Sequence, residues 1–136
     1  MRNLDILDAA CSLLCETVGT SADYESRAPY VLGTFLRTCK QVDRDWRTAY
    51  GLDPAPTHQN YPSMDEEFPL VDELIPAATY YLAAMLVMDE NSDLYEKLFD
   101  LFTDAVATVA ASIPEPQPQP DAPIPPAILH PIKNVY

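Results

Sequence analysis

Side chains able to do chemistry are few in this chain, and their spacing suits none of the common reactions. His58 and His130 both lie close to prolines, in the stretches PTHQNYP and LHPIK. Extended segments of that kind are poor platforms for a positioned general base. Cys11 and Cys15 stand four apart in a CSLLC run and would share one side of a helix. A closed zinc site needs two more ligands at matching spacing, and only Cys39 remains, so the apolar flanks assign both cysteines to a core. The acidic triplet Asp65, Glu66 and Glu67 lacks the alternating oxygen pattern of a calcium loop and reads as favourable charge at the start of the next helix. There is no GxxxxGK[ST], GxGxxG, HExxH or GxSxG, and three glycines leave little material for a phosphate-cradling loop. The expectation is a protein that is not an enzyme and holds no cofactor or metal.

Charge is more informative than reactivity. Twenty-one acids against eight bases give a net charge of −13, which disfavours wrapping nucleic acid. The two signs are segregated along the chain. Five of the eight bases (Arg27, Arg37, Lys40, Arg44 and Arg47) fall within 21 residues, whereas the stretch from Asp65 to Asp104 holds eleven acids and the single base Lys97. Copies of such a chain could bind one another head to tail. The basic set Arg37, Lys40, Arg44 and Arg47 is the candidate partner-binding face, with Asp65, Glu66, Glu67, Asp93, Glu96 and Asp100 as its candidate acidic counterparts.

These residues must be positioned by helices, because no strand-like alternation is present. The reading is all-α: a small bundle of about four helices in a domain of residues 1–113, followed by an extended arm of residues 114–136. A first helix runs from Leu4 to Val18, with Asn3 as N-cap and Gly19 at the stop; Leu4, Leu7, Cys11, Leu14 and Val18 recur at steps of three and four. Thr20 to Ala28 is a linker. A second helix then starts at Pro29 and reaches Tyr50, with the apolar stripe Leu32, Phe35, Leu36, Cys39, Val42 and Trp46 turned away from the basic residues. Leu52 to Pro69 is a loop with four prolines, and loops of that length usually have a function or touch another chain. The third helix begins between Leu70 and Asp72 and ends by Asp89, with Pro76 tolerable only in its first turn. Asn91 or Ser92 caps the fourth, which puts Leu94, Leu98, Leu101, Phe102, Ala105, Val106, Val109 and Ile113 in one stripe and Asp93, Glu96, Asp100 and Asp104 opposite it. The three-residue connector between the third and fourth helices predicts a long antiparallel pair.

The arm, Pro114 to Tyr136, carries eight of the fourteen prolines and no glycine. Proline removes a backbone donor and fixes φ, so the composition predicts an extended path without a core of its own. Ile124, Ile128, Leu129, Ile132, Val135 and Tyr136 are candidate anchors for a groove on a neighbour. Asp5 and Asp8 interrupt the N-terminal apolar residues, and the longest apolar run, about Tyr80 to Met88, is too short for a bilayer. Neither a signal peptide nor a membrane is expected, and three cysteines without framework spacing suit a reducing cytosol.

The order of elements resembles the small helical head–tail connector (adaptor) proteins of tailed bacteriophages and prophages. The residues that carry the likeness are Met64 to Phe68, Tyr80 to Ala84, Asp89 to Asn91 and Leu98 to Phe102, within MDEEFPLVDELIPAATYYLAAMLVMDENSDLYEKLFDLF. It extends over roughly two thirds of the chain if the preceding DYESRAPYVLGTFLRTCKQVDRDWR segment is counted. The resemblance implies a structural virion protein, made in the host cytoplasm and placed in the neck. It would form a ring, commonly of twelve copies, that docks under the portal protein, meets other neck or tail proteins and lets DNA pass without sequence-specific binding. The proline arm is longer than such adaptors need. The alternative is a soluble cytosolic helical adaptor that binds a partner through that arm.

Overall fold

The computed structural model describes residues 1–16 and 22–115. Five α-helices make up the described part: α1 (Asn3–Leu13), α2 (Ala22–Thr38), α3 (Lys40–Ala49), α4 (Ile75–Val87) and α5 (Ser92–Ala111). A 3-10 turn at Asp72–Leu74 leads into α4, and the described residues contain no strand, only an isolated bridge between Arg2 and Glu67.

The centre of the fold is α4. Its sequence is apolar on every side, and a helix with no polar face can only be stable when surrounded. Ala77, Ala78, Leu82, Ala83, Ala84 and Leu86 are all fully buried. Its alanines let α1, α2 and α5 approach closely, and α4 and α5 form the most extensive helix pair. The turn between them, Met88 to Asn91, is closed by Asn91, whose side chain accepts a 3.0 Å bond from the Leu94 amide. Pro76 occupies the first turn of α4, where it removes no intrahelical bond.

Phe35 on α2 lies at the junction of these helices. Its ring centroid is 5.8 Å from Tyr81 and 6.1 Å from Phe102, and Phe68 completes the cluster at 6.3 Å. Such tilted and edge-on pairs add to the apolar area that they bury.

Several boundaries differ from those expected. The helix that Pro29 was to begin starts seven residues earlier, at Ala22. A proline inside a helix costs about 3 kcal/mol. Here tertiary contacts offset it: Tyr24 and Ala28 are buried, the Tyr24 hydroxyl donates to Glu90 at 2.5 Å, and Arg27 donates to the carbonyl of Met85 at 3.0 Å. The same predicted helix divides at Cys39 into α2 and α3, so about four helices become five. The first helix ends at Leu13 instead of Val18, because Cys15 turns to a left-handed φ of 59° and the Glu16 amide donates back to the Cys11 carbonyl at 2.8 Å. Cys15 is therefore exposed and not in the core, unlike buried Cys11 and Cys39. Asn3 is the first helical residue and not the cap. Arg2 precedes the helix, and its amide donates to the Asp5 carboxylate at 2.9 Å. Leu101, assigned to the buried stripe of α5, is 45% exposed. The expected stop at Gly19 and the proline arm beyond Glu115 lie outside the described residues.

Candidate interaction surface

The long loop after α3 is folded against its own chain. Carbonyls of Met64 and Glu66 accept from the amides of Leu4 and Asn3 at 2.8 and 2.9 Å, and the Asn3 side-chain amide donates to Ser63 at 2.9 Å. A helix starts with amide donors that have no intrahelical partner, and the loop satisfies them. The acidic triplet thus sits at the start of α1, not of α4 as its order in the chain suggested. Nearer its middle the loop crosses α2. The Arg37 guanidinium donates to the Asn60 carbonyl at 3.1 Å, Pro62 is fully buried, and a Cβ on Gly33 would collide with the Asn60 carbonyl oxygen. Tyr30 and Tyr61, both more than half exposed, meet at this crossing in a tilted pair with centroids 4.7 Å apart.

The third attachment is electrostatic. Asp43, on the first turn of α3, is only 2% exposed. Both of its carboxylate oxygens accept from Arg47 Nε, at 3.1 and 3.0 Å, and Oδ1 also accepts from the Val71 amide at 2.7 Å. Arg47 then donates from its other two nitrogens to the carbonyls of Asp53 at 3.0 Å and Pro69 at 3.1 Å. A carboxylate so far from water is tolerable because a charge and a backbone donor replace its hydration. The α3 helix is thereby locked to the two ends of the loop.

This geometry sorts the four predicted basic residues into two kinds. Arg47 is half-buried and engaged within its own chain, and Arg37 holds the loop at Asn60. Lys40 and Arg44 are exposed and form no ion pair among the described residues. They stand one turn apart on α3 at the edge of a cleft of about 190 Å³, whose far wall is Leu52, Pro54 and Ala55. A larger groove of about 740 Å³ lies on the other side of α3, between Val42, Asp45 and Ala49 and the end of α5 at Ala110, Ile113 and Glu115. The helix is a ridge between two hollows.

The acids sort similarly. Glu67 pairs with the N-terminal amine at 2.9 Å, whereas Asp93, Glu96, Asp100 and Asp104 are exposed along α5 and make no ion pair among the described residues. The arm residues Ile124, Ile128, Leu129, Ile132 and Tyr136, with His130, lie outside the described residues. His58 is half-buried, with its Nδ1 3.2 Å from the Gln59 carbonyl and no ion pair to a carboxylate among the described residues. Burial pushes the Cys39 thiol up to about 11, the direction opposite to that of a reactive thiolate. No group of His, Cys, Asp and Glu among the described residues could hold a metal ion. None of the described helices is long and apolar enough to cross a membrane.

The role of Asp43 was partly legible in the sequence, because it falls four residues after Cys39 and three before Trp46, within the apolar stripe and not on the polar face. A carboxylate on that face needs a partner, and Arg47 stands one turn later; the spacing alone would say little, since it is common on solvated helices. Compared with protein-family models, curated proteins and solved structures, the chain gives no match.

Proposed function

We propose that this protein is a structural, non-enzymatic component of a virion neck: a head–tail connector that assembles as a ring beneath a portal and continues a DNA channel. The observation that carries the reading is the segregation, on a small helical body, of charges that form no ion pair among the described residues. Lys40 and Arg44 lie on α3, and Asp93, Glu96, Asp100 and Asp104 on α5. A surface with separate acidic and basic faces favours heterologous contact between identical copies, and such contacts close into rings when the rotation permits. Support also comes from the resemblance described above, whose residues fall on the loop, on α4 and α5, and on the turn between them. An excess of thirteen negative charges suits a channel wall past which DNA must slide.

Light scattering coupled to size exclusion, with negative-stain imaging of the peak, tests the reading. Annular particles of uniform size are expected. A protein that stays monomeric at every concentration would favour the soluble adaptor, a reading supported by the eight prolines of the last 23 residues.

A further inference from the structure

Four features converge on one side of α3 and one side of α5. First, Lys40 and Arg44 are cations without a counter-charge among the described residues, on a molecule with a large excess of acid. Second, the cleft beside them has an apolar far wall, in which Leu52 is 50% exposed. Third, α5 carries Asp93, Glu96, Asp100 and Asp104 in the open, with Lys97 as the only base among them. Fourth, Leu101 projects into solvent from the same helix, one turn before Asp104.

We propose that the α3 cleft receives the α5 face of a second copy. Leu101 enters against Leu52 and Pro54, and Asp100 and Asp104 meet Arg44 and Lys40. The spacing agrees, because residues four apart on each helix are separated by about 6 Å. The apolar contact matters as much as the charges. Exposed ion pairs are each worth only ~0–1 kcal/mol, so register must come from a side chain that fills a hollow. The contact is heterologous, since each copy donates one face and accepts with another; repeated, it generates a closed ring or a filament. This inference rests on the assembly reading above and supplies its interface. Nucleic acid is a poorer occupant, because the chain's net charge of −13 would repel phosphate.

A charge-swap set in the full-length protein provides the test. K40E/R44E leaves both faces acidic, and D100K/D104K leaves both basic; the quadruple variant exchanges their signs. By light scattering at roughly 50 mM salt, wild type should be multimeric, and its mass should fall towards a single chain near 0.5 M. Each double variant alone should associate roughly tenfold or more weakly. Their equimolar mixture, and the quadruple variant, should both recover the wild-type mass, with circular dichroism showing unchanged helicity in every case. L101A should weaken association without making the remainder less sensitive to salt. If wild type assembles and K40E/R44E assembles equally well, or if neither mixture nor quadruple variant recovers, this interface is overturned while the ring reading stands. A wild type that never exceeds one chain overturns both.

Discussion

Arg47 follows Asp43 by one helical turn, and its Nε lies 3.0–3.1 Å from both oxygens of a carboxylate that is almost wholly removed from water. The pair is local in sequence, yet what it joins is distant. Through Asp43 it reaches the Val71 amide at 2.7 Å, and through Arg47 the carbonyls at both ends of the 52–69 loop. One ion pair thus fixes the entry to the 3-10 turn before α4 and the height of the wall facing Lys40 and Arg44.

Replacing Asp43 with Ala should therefore be severe. It strands the Arg47 charge and leaves the Val71 amide without its partner, and breaking a buried pair in this way costs ~3–5 kcal/mol. Arg47→Lys keeps the charge but cannot reproduce the fork to Asp53 and Pro69. Urea titration should rank the stabilities wild type, R47K, D43A. A D43A midpoint equal to that of wild type would show that the loop is held elsewhere.

Gly33 is the position where helix and loop backbones come closest. A methyl group there meets the Asn60 carbonyl, so Gly33→Ala must displace the loop or bend α2. The usual gain in helix propensity from Gly to Ala, about 1 kcal/mol, should be reversed, leaving a net loss of roughly 1–3 kcal/mol. Thermal unfolding of G33A gives the sign directly.

Truncating Phe102→Ala opens a cavity among Phe35, Tyr81 and Phe99, whose centroids lie 6.1, 5.0 and 5.4 Å from its own. The expected loss is ~3–5 kcal/mol, read as a lower urea midpoint with helicity retained before the transition. A loss below 1 kcal/mol would mean that the α4–α5 contact closes without this ring.

Alkali should destabilise the fold at a definite place. Burial and the bond to Glu90 push Tyr24 up to about 12 from 10.0, and burial pushes Cys39 up to about 11 from 9.0. Both groups are neutral in the folded state and ionise more readily once unfolded. Their contribution is complete below pH 9 and is lost as pH rises through 9 to 12. In Tyr24→Phe the part of that decline above pH 10 should shrink, measured as the difference in unfolding midpoint between pH 9 and pH 11. Identical slopes in wild type and Y24F would mean that the hydroxyl is not buried as described.

Helix content and the interior faces were set by local pattern. The steps of three and four along residues 4–11, 32–39 and 94–109 mark the face that each helix turns inward, although Leu101 at the edge of the last stripe stays exposed. Asn91 before Ser92, and Pro76 in a first turn, could likewise be placed from residue type alone, since capping and proline geometry need nothing beyond the neighbouring residues. Other features depended on partners far along the chain. Pro29 lies inside α2 because Arg27 and Tyr24 find the last turn of α4 and the connection after it, some sixty residues away. The acidic triplet faces α1 because a folding loop brings it there, and Arg47 is engaged while Arg44 has no ion pair among the described residues because Asp53 and Pro69 come to meet one and not the other. Periodicity records which face of a helix is apolar; only the packed chain decides which of its polar groups already have partners.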